Sequence, residues 1–162
     1  MWKKIKPYIA VFTVSIAIPL AVGLLSAFLT KDNMQIYGEI DTPSLSPPSW
    51  LFPIVWTVLY ILMGVSSGLV YLRRGENEAE AARGLRYYAA SLILNFGWSI
   101  IFFNLGSFFI SFIWLLVLLY TIIRTIVSYV KVSPVGGYLQ IPYAAWVAFA
   151  GYLNFGIWLL NG

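Results

Sequence analysis

Five long apolar stretches constrain the fold of this chain more than any other feature of its sequence. They cover approximately residues 5–29, 50–72, 85–103, 108–130 and 135–160. Each is long enough to cross about 30 Å of hydrocarbon as a helix. Because lipid offers the backbone no hydrogen-bond partners, a segment that crosses it must pair its own amides and carbonyls, as a helix does. The sequence therefore predicts an all-α integral membrane protein, with residues 1–162 forming one domain, a bundle of five transmembrane helices.

The composition agrees with lipid as the main solvent. Of the 162 residues, 60% are hydrophobic and 10% are charged, and the mean hydropathy is +0.83. A water-soluble domain of this length has a larger charged share. The net charge is +4, but the basic residues form short clusters between apolar stretches. Nucleic-acid binding needs a broad basic face, so we expect no nucleic acid as a partner.

The sequence contains neither cysteine nor histidine. It therefore excludes disulfides, thiolate nucleophiles, the usual zinc sites and the commonest protein ligand of haem iron. The predicted spans also contain no carboxylate. Proton relays, cation pathways and acid–base catalysis inside the membrane consequently lack their usual residues. We expect no metal site and no required cofactor.

The basic residues are distributed unevenly between the two ends of the predicted bundle. Nine of the ten fall on the side of the N-terminus, and only Lys31 falls on the other. Loops on the cytoplasmic side carry the excess of lysine and arginine. With five spans, this distribution predicts a cytoplasmic N-terminus and an external C-terminus. Arg124 is the one charge well inside a predicted span, where it could extend its guanidinium to the membrane surface.

The first connection, residues 30–49, is long for so small a protein. It has no apolar stretch, and it carries Asp32, Glu39 and Asp41. A loop of this length usually has a function or is disordered. Our interpretation is a lid over an outward-facing cavity.

Prolines are concentrated at the start of the second span, in "PSLSPPSWLFP". Ser46 is suited to cap a helix whose first turn contains Pro47 and Pro48, where the missing amide protons cost little. Pro53 lies about one turn further in and should bend or loosen the helix there. Such a bend is either a simple kink or an opening between helices, and the sequence leaves both alternatives open.

The second and third spans each present an aromatic face. Trp56 and Tyr60 are four residues apart, so they share one face of the second helix. Asn95 and Trp98 share a face of the third helix, and Asn95 is the only amide side chain of that span. An unpaired amide in lipid is costly, so Asn95 must face protein, water or a ligand. The alternative to a ligand is an interhelical hydrogen bond worth about 1 kcal/mol.

The fifth span adds a third face, made of Trp146, Ala150 and Leu153. Alanine beside tryptophan leaves a shallow recess with an aromatic wall. If the three faces converge, they form an apolar, aromatic pocket with few polar groups. Such a pocket is suited to a large, flat, hydrophobic ligand.

These segments resemble the signature of the TspO/MBR family, the translocator proteins once called peripheral benzodiazepine receptors. The similarity runs from about Pro19 to Phe155 and comprises Tyr37, "PSLSPPSW", "PIVWTVLYILMG", "LNFGWSIIFF" and "PYAAWVAFAGYLNF", in family order. It implies five transmembrane helices and usually a homodimer. For a bacterial member, it implies a multi-pass protein of the cytoplasmic membrane.

The resemblance also implies the ligand, a porphyrin or haem-like tetrapyrrole, with sterols and synthetic isoquinolines or benzodiazepines in many members. The signature and the aromatic faces together assign ligand binding to Ala27, Tyr37, Pro47, Pro48, Trp56, Tyr60, Asn95, Trp98, Trp146, Ala150 and Leu153. Two departures stand out. The family often has tryptophan where Leu45 stands, and Phe155 and Leu159 replace the tyrosine and arginine of the animal cholesterol motif.

Three functions follow as hypotheses. The first is a membrane binding protein or receptor that acts as a sensor, carrier or scavenger of tetrapyrroles. The second is an enzyme that degrades porphyrins with light and oxygen, a role proposed for some bacterial members, in which Trp56 and Trp146 would be the catalytic residues. The third and weaker is a transporter of tetrapyrroles or sterols.

The uneven distribution of basic residues makes the orientation testable. Single cysteines can be introduced without background because the chain has none. In intact cells, we expect a membrane-impermeant thiol reagent to label a cysteine placed at Asn33 and to leave one at Gly75 unlabelled. The reverse pattern would show that the predicted orientation is wrong.

Overall fold

The computed structural model describes residues 1–162, and all of its regular secondary structure is helical. Its helices are α1 (Trp2–Thr30), α2 (Ile36–Glu39), α3 (Leu51–Leu72), α4 (Glu78–Ser99), α5 (Phe108–Val130), α6 (Pro134–Tyr138) and α7 (Ile141–Asn161). A single 3₁₀ turn, Arg74–Glu76, follows α3, and a π-helical turn, Ile100–Asn104, continues α4.

Four segments are long and apolar enough to cross a membrane: α1, α3, α5, and the combined stretch Pro134–Asn161 that contains α6 and α7. The chain is therefore a multi-pass membrane protein by the length and composition of its helices. α4 is not among the four because its first three turns carry the charges of "EAEAARGLR". Only its second half is predominantly apolar, so a membrane crossing by residues 85–103 stays a prediction.

A helix begins and ends at the same residues as its apolar stretch where turns flank that stretch. α5 covers the same residues, 108–130, as the fourth stretch. α4 instead begins seven residues before the stretch at 85–103, because the side chain of Asn77 accepts a hydrogen bond from the Glu80 amide and caps a charged first turn. The stretch at 135–160 is divided between α6 and α7, and Pro142 lies in the first turn of α7.

The prolines before α3 do not act as the sequence suggests. α3 begins at Leu51, so Pro47 and Pro48 precede the helix rather than form its first turn. The Ser46 hydroxyl donates to the Pro43 carbonyl at 2.7 Å instead of capping α3. Pro53 lies in the first turn, where an amide proton has no helical partner, so it removes no helical hydrogen bond that would bend or loosen α3.

The five long helices form a ring in the spatial order α3, α1, α4, α5, α7. α1 and α3 approach each other so closely at Gly64 that a Cβ there would overlap the backbone of Ile16. Small residues allow this approach, which is a common way for membrane helices to pack. α7 and α3 close the ring, but their backbones come near each other at few points. The bundle is therefore loosest between α3 and α7.

A buried amide joins three of the helices on the opposite side of the ring. Asn154 of α7 is 1% exposed. Its Oδ1 accepts hydrogen bonds from Trp98 Nε1 of α4 and from Ser111 Oγ of α5, each at 3.0 Å. Its Nδ2 donates to the Phe108 carbonyl at 2.7 Å. Buried polar groups are stable when paired in this way, so Asn154 fixes α4, α5 and α7 relative to one another.

Replacing Asn154 by leucine should destabilise the bundle. The change leaves Trp98 Nε1 without an acceptor, whereas Ser111 and the Phe108 carbonyl still pair with each other. A buried group left unpaired costs about 1–3 kcal/mol. We expect a lower midpoint of thermal unfolding in detergent. Asn161→Ala on the same helix is the control, because its hydrogen bonds to Asp41 are exposed and water can replace them. An Asn154→Leu variant that unfolds at the wild-type temperature would contradict this account.

Candidate ligand-binding site

An aromatic cluster fills the loose side of the ring between α3 and α7. The Trp56 ring stacks on Tyr60 with centroids 5.6 Å apart, and it meets Tyr143 of α7 edge-on at 6.2 Å. One turn nearer the start of α3, Phe52 lies 5.9 Å from Trp146 of α7. The space between α3 and α7 is therefore filled mainly by side chains and not by contacts between the two backbones. A flat ligand could exchange these ring–ring contacts for contacts with itself.

The loop of residues 30–49 covers one end of the cluster. Tyr37 of α2 lies edge-on to Phe52 at 5.1 Å, and its hydroxyl donates to the Pro47 carbonyl at 3.0 Å. Burial raises the pKa of the Tyr37 hydroxyl above its ordinary value, and the nearby Ser46 hydroxyl opposes this shift in part. The phenol consequently stays protonated at neutral pH and serves as a donor.

Hydrogen bonds between distant residues hold this loop against α7. The Tyr152 hydroxyl donates to the Ser44 carbonyl at 2.8 Å. Asn161 pairs with the backbone of Asp41 in both directions, at 3.0 Å and 2.8 Å. These hydrogen bonds are exposed, so water can replace them at small cost. The loop is thus attached in a way that permits it to open.

The other edge of the loop is held at the end of α4. Asn104, the last residue of the π-helical turn, accepts a hydrogen bond from Asn33 Nδ2 at 3.0 Å and donates to the Leu29 carbonyl at 3.1 Å. π-helical turns are frequent at functional sites because they redirect the residues that follow. Here the turn brings an amide from α4 to both α1 and the loop.

Asn95 lies deeper, where α4 meets the cluster. It is 3% exposed, and its Nδ2 has no hydrogen-bond partner. The hydroxyls of Tyr60 and Tyr143 lie near the Asn95 side chain, and the Tyr143 hydroxyl is also unpaired. On its other side, the Tyr60 ring lies against the backbone of Gly23 in α1, where a Cβ would overlap it. The base of the cluster is therefore polar, and the phenol oxygens of Tyr60 and Tyr143 are the acceptors nearest to Asn95.

The structure brings part of the predicted ligand-binding set together. The members of one connected cluster are Tyr37, Trp56, Tyr60, Asn95 and Trp146. Ala150 is half-buried beside the core, and Leu153 is buried. Trp98 packs against the core, but its indole N–H points to Asn154 and its ring lies 5.3 Å from Phe102.

Three members of the set lie at the margin of the site. Ala27 is exposed in the last turn of α1, and Pro48 is exposed before α3. Pro47 takes part through its carbonyl, which accepts the hydrogen bond from Tyr37.

Sequence reasoning missed Phe52 and Tyr143, although a signal for both was present. Phe52 precedes Trp56 by four residues, and Tyr143 precedes Trp146 by three, so each extends a face that was already recognised. Asn154 was missed as well, although it is an amide in an apolar span and should attract the same attention as Asn95.

Three surface grooves lie elsewhere, and no tryptophan lines any of them. The first, of about 270 Å³, lies between α5 and α7 and includes Phe112, Val147 and Phe155. A second, of about 560 Å³, lies along α4. A third, of about 510 Å³, lies along α1. Within the tryptophan cluster the Trp56 ring contacts Tyr60 and Tyr143, so a flat ligand placed between them would displace these rings.

Comparison with known proteins agrees with this architecture. The family model described as the TspO/MBR family matches residues 15–159. The tryptophan-rich protein TspO of Chlorobaculum tepidum is 40% identical over 147 residues, which cover 90% of this chain and 92% of the relative. The human translocator protein is 32% identical over 96% of this chain and 92% of its own length. The tryptophan-rich sensory protein of Cereibacter sphaeroides is 30% identical over 94% and 92%.

The match to the family model and these identities extend over nearly the whole chain, including every segment in which the sequence resembled the family. The chain therefore belongs to the TspO/MBR family.

Proposed function

We propose that this chain is a membrane binding protein for porphyrins or similar flat tetrapyrroles, acting as a sensor, carrier or scavenger. Membership of the TspO/MBR family, and the name of the tryptophan-rich sensory protein among its relatives, support a binding or sensing role in a membrane. The observation that carries the proposal is the unpaired Nδ2 of Asn95 at the base of an aromatic cluster.

A tetrapyrrole matches the chemistry of this cleft. Its macrocycle is flat and apolar, so it can stack against the indoles of Trp56 and Trp146. Its pyrrole nitrogens or side-chain carboxylates can accept a hydrogen bond from Asn95, which ends the cost of an unpaired buried donor. The loop under Tyr37 can open for entry because exposed hydrogen bonds attach it.

The membrane arrangement is part of the proposal. The apolar stretch of residues 85–103, in α4 and the π-helical turn after it, also crosses the bilayer and completes a five-helix bundle. The N-terminus lies in the cytoplasm, and the loop of residues 30–49 faces outward. The protein is a homodimer of a bacterial cytoplasmic membrane.

Binding can be measured through the protein's own tryptophans. Porphyrin should quench their emission saturably, because Trp56 and Trp146 would lie within contact or energy-transfer range. We expect a Trp56→Ala, Trp146→Ala double variant to bind porphyrin far more weakly. Asn95→Leu should weaken binding about fivefold, the equivalent of one hydrogen bond of about 1 kcal/mol. Trp50→Ala is the matched control, because that indole is 65% exposed outside the cluster. Wild-type affinity in the double variant would exclude this site.

A second candidate function, light-driven porphyrin degradation, is favoured by the contacts of Trp56. Its indole touches two phenol rings, those of Tyr60 and Tyr143, so three oxidisable groups lie in series. A porphyrin excited by light can take an electron from Trp56, and the reduced macrocycle can then form a bond to oxygen. Return of the electron from this adduct to the oxidised indole would restore Trp56 and leave an oxygenated macrocycle, with light and oxygen as the only other requirements. Porphyrin binding and light-driven degradation would use the same residues. Only a measurement of turnover therefore distinguishes the two functions.

Illumination with and without oxygen distinguishes the two functions. If binding is the main function, porphyrin loss in the light should be slow. Trp56→Phe and Trp146→Phe should change it little, because phenylalanine keeps most of the apolar contact. Several turnovers per protein that need light and oxygen and vanish in Trp56→Phe, with affinity retained, would instead establish an enzyme. Bleaching at the same rate without protein would remove the enzymatic alternative.

A further inference from the structure

The base of the aromatic cluster is a buried polar region to which several helices contribute. Asn95 of α4 is 3% exposed, and its Nδ2 has no hydrogen-bond partner. The hydroxyls of Tyr60 of α3 and Tyr143 of α7 lie near its side chain. Tyr88 of α4 lies in the same region, and its buried hydroxyl is also without a partner. The region therefore offers an incoming ligand both hydrogen-bond donors and hydrogen-bond acceptors.

This polar region carries no charge at neutral pH. α3, α6 and α7 contain no charged residue, and α1 is charged only at its start. The charges of α4 end at Arg86, nine residues before Asn95, which is a rise of about 14 Å. The only charge of α5 is Arg124, whose guanidinium lies 5.3 Å from the centre of the Tyr87 ring. Tyrosine loses its proton only near about pH 10. The titratable side chains that line or adjoin the region are all tyrosines: Tyr60 of α3, Tyr88 of α4, Tyr129 of α5 and Tyr143 of α7.

Such a region discriminates between the two forms of a carboxyl group. A carboxylate buried at this depth without a cation is costly, because it loses its hydration. A neutral carboxyl group has one O–H donor and acceptor oxygens, and it carries no charge to compensate. It can pair with a side-chain amide through two hydrogen bonds, donating to Oδ1 and accepting from Nδ2. Asn95 offers both atoms, and the phenols of Tyr60 and Tyr143 supply further partners.

We propose that Asn95, with the phenols of Tyr60 and Tyr143, binds one carboxyl group of the tetrapyrrole in its neutral, protonated form. This inference rests on the proposed binding of a tetrapyrrole between α3 and α7. Tyr60 follows Trp56 by four residues, a rise of about 6 Å along α3. A propionic acid arm extends roughly 5 Å beyond its macrocycle, since its bonds are about 1.5 Å long. A macrocycle in contact with Trp56 therefore brings a carboxyl group to the depth of Tyr60 and Asn95.

Binding of a neutral carboxyl group requires the uptake of one proton. In water, a carboxyl group like that of glutamate is ionised above about pH 5. The affinity is therefore fully present below that pH and falls as the pH rises, by about tenfold per pH unit for one proton. A porphyrin whose carboxyl groups are esterified has no proton to take up, so its affinity should not depend on pH.

Quenching of tryptophan emission between about pH 6 and about pH 8 tests this site, because free carboxyl groups are ionised and phenols are neutral in that range. Protoporphyrin is the free-acid probe, and its dimethyl ester is the neutral probe. We expect the affinity of the wild-type chain for the free acid to fall about tenfold per pH unit, and its affinity for the ester to stay constant. In Asn95→Leu, the free-acid profile should become flat, because the arms then turn outward to water.

A second variant keeps the test decisive if Asn95→Leu does not fold. Tyr143→Phe retains the ring and removes the hydroxyl, so it should weaken binding of the free acid about fivefold, the equivalent of about 1 kcal/mol, and leave the ester unaffected. Tyr138→Phe is the matched control, because that side chain is 58% exposed on α6. An equal loss in Tyr138→Phe, or an equal loss for the ester in Tyr143→Phe, would overturn the proposal.

The pH profile also separates this proposal from the proposed function. Saturable quenching by the free acid with the same affinity at every pH would overturn the carboxyl site and leave tetrapyrrole binding intact. The same slope in Asn95→Leu, or in empty detergent micelles, would overturn it as well, since the protonation would then not depend on this site. If neither probe quenches saturably at any pH, the proposed function itself fails.

Discussion

The hydrogen bonds of Asn154 organise the rest of this structure. In a chain whose surroundings are lipid, a buried amide must find its partners within the protein. Asn154 finds them on α4 and α5, at Trp98, Ser111 and Phe108. These contacts, together with the packing of α5 between α4 and α7, leave α3 as the helix that meets α7 mainly through side chains. The position of the candidate cleft therefore follows from where the polar groups are satisfied.

Asn95 is also a buried amide, but its hydrogen bonding differs from that of Asn154. It is almost as deeply buried as Asn154, yet its Nδ2 has no partner. An unpaired buried donor costs about 1–3 kcal/mol. The nearby hydroxyls of Tyr60 and Tyr143, or a ligand, can supply the acceptor. The contrast assigns a structural role to Asn154. It supports a ligand-binding role for Asn95, next to Trp56 and Tyr60.

Hydropathy predicts which residues of this chain lie in lipid. The helices begin and end at other residues, so hydropathy alone does not predict their bounds. The bounds of α5 could be predicted because turns flank an uninterrupted apolar stretch. The early start of α4 could not, because its first turns are charged and are capped by Asn77. The break before α7 was missed because apolar residues continue across it, and only the polar Gln140 and the following Pro142 mark the boundary.

The candidate site could also be predicted only in part, because sequence patterns report local helix geometry and not the contacts between distant segments. Helical spacing places Trp56 with Tyr60, and Trp146 with Ala150, because it depends only on local geometry. Spacing does not say which helices become neighbours, so the turn of Trp98 toward Asn154 could not be read from the sequence. The hydrogen bonds of the loop to α7 join residues more than 100 positions apart. No local pattern carries that information.

A structure of the protein with protoporphyrin bound tests the central claim most directly. The account predicts the macrocycle between α3 and α7, beneath Tyr37, in contact with Trp56 and Trp146 and with an acceptor atom facing Asn95 Nδ2. A macrocycle in the outer groove between α5 and α7, against Phe112 and Phe155, with the tryptophan cluster still closed, would contradict it.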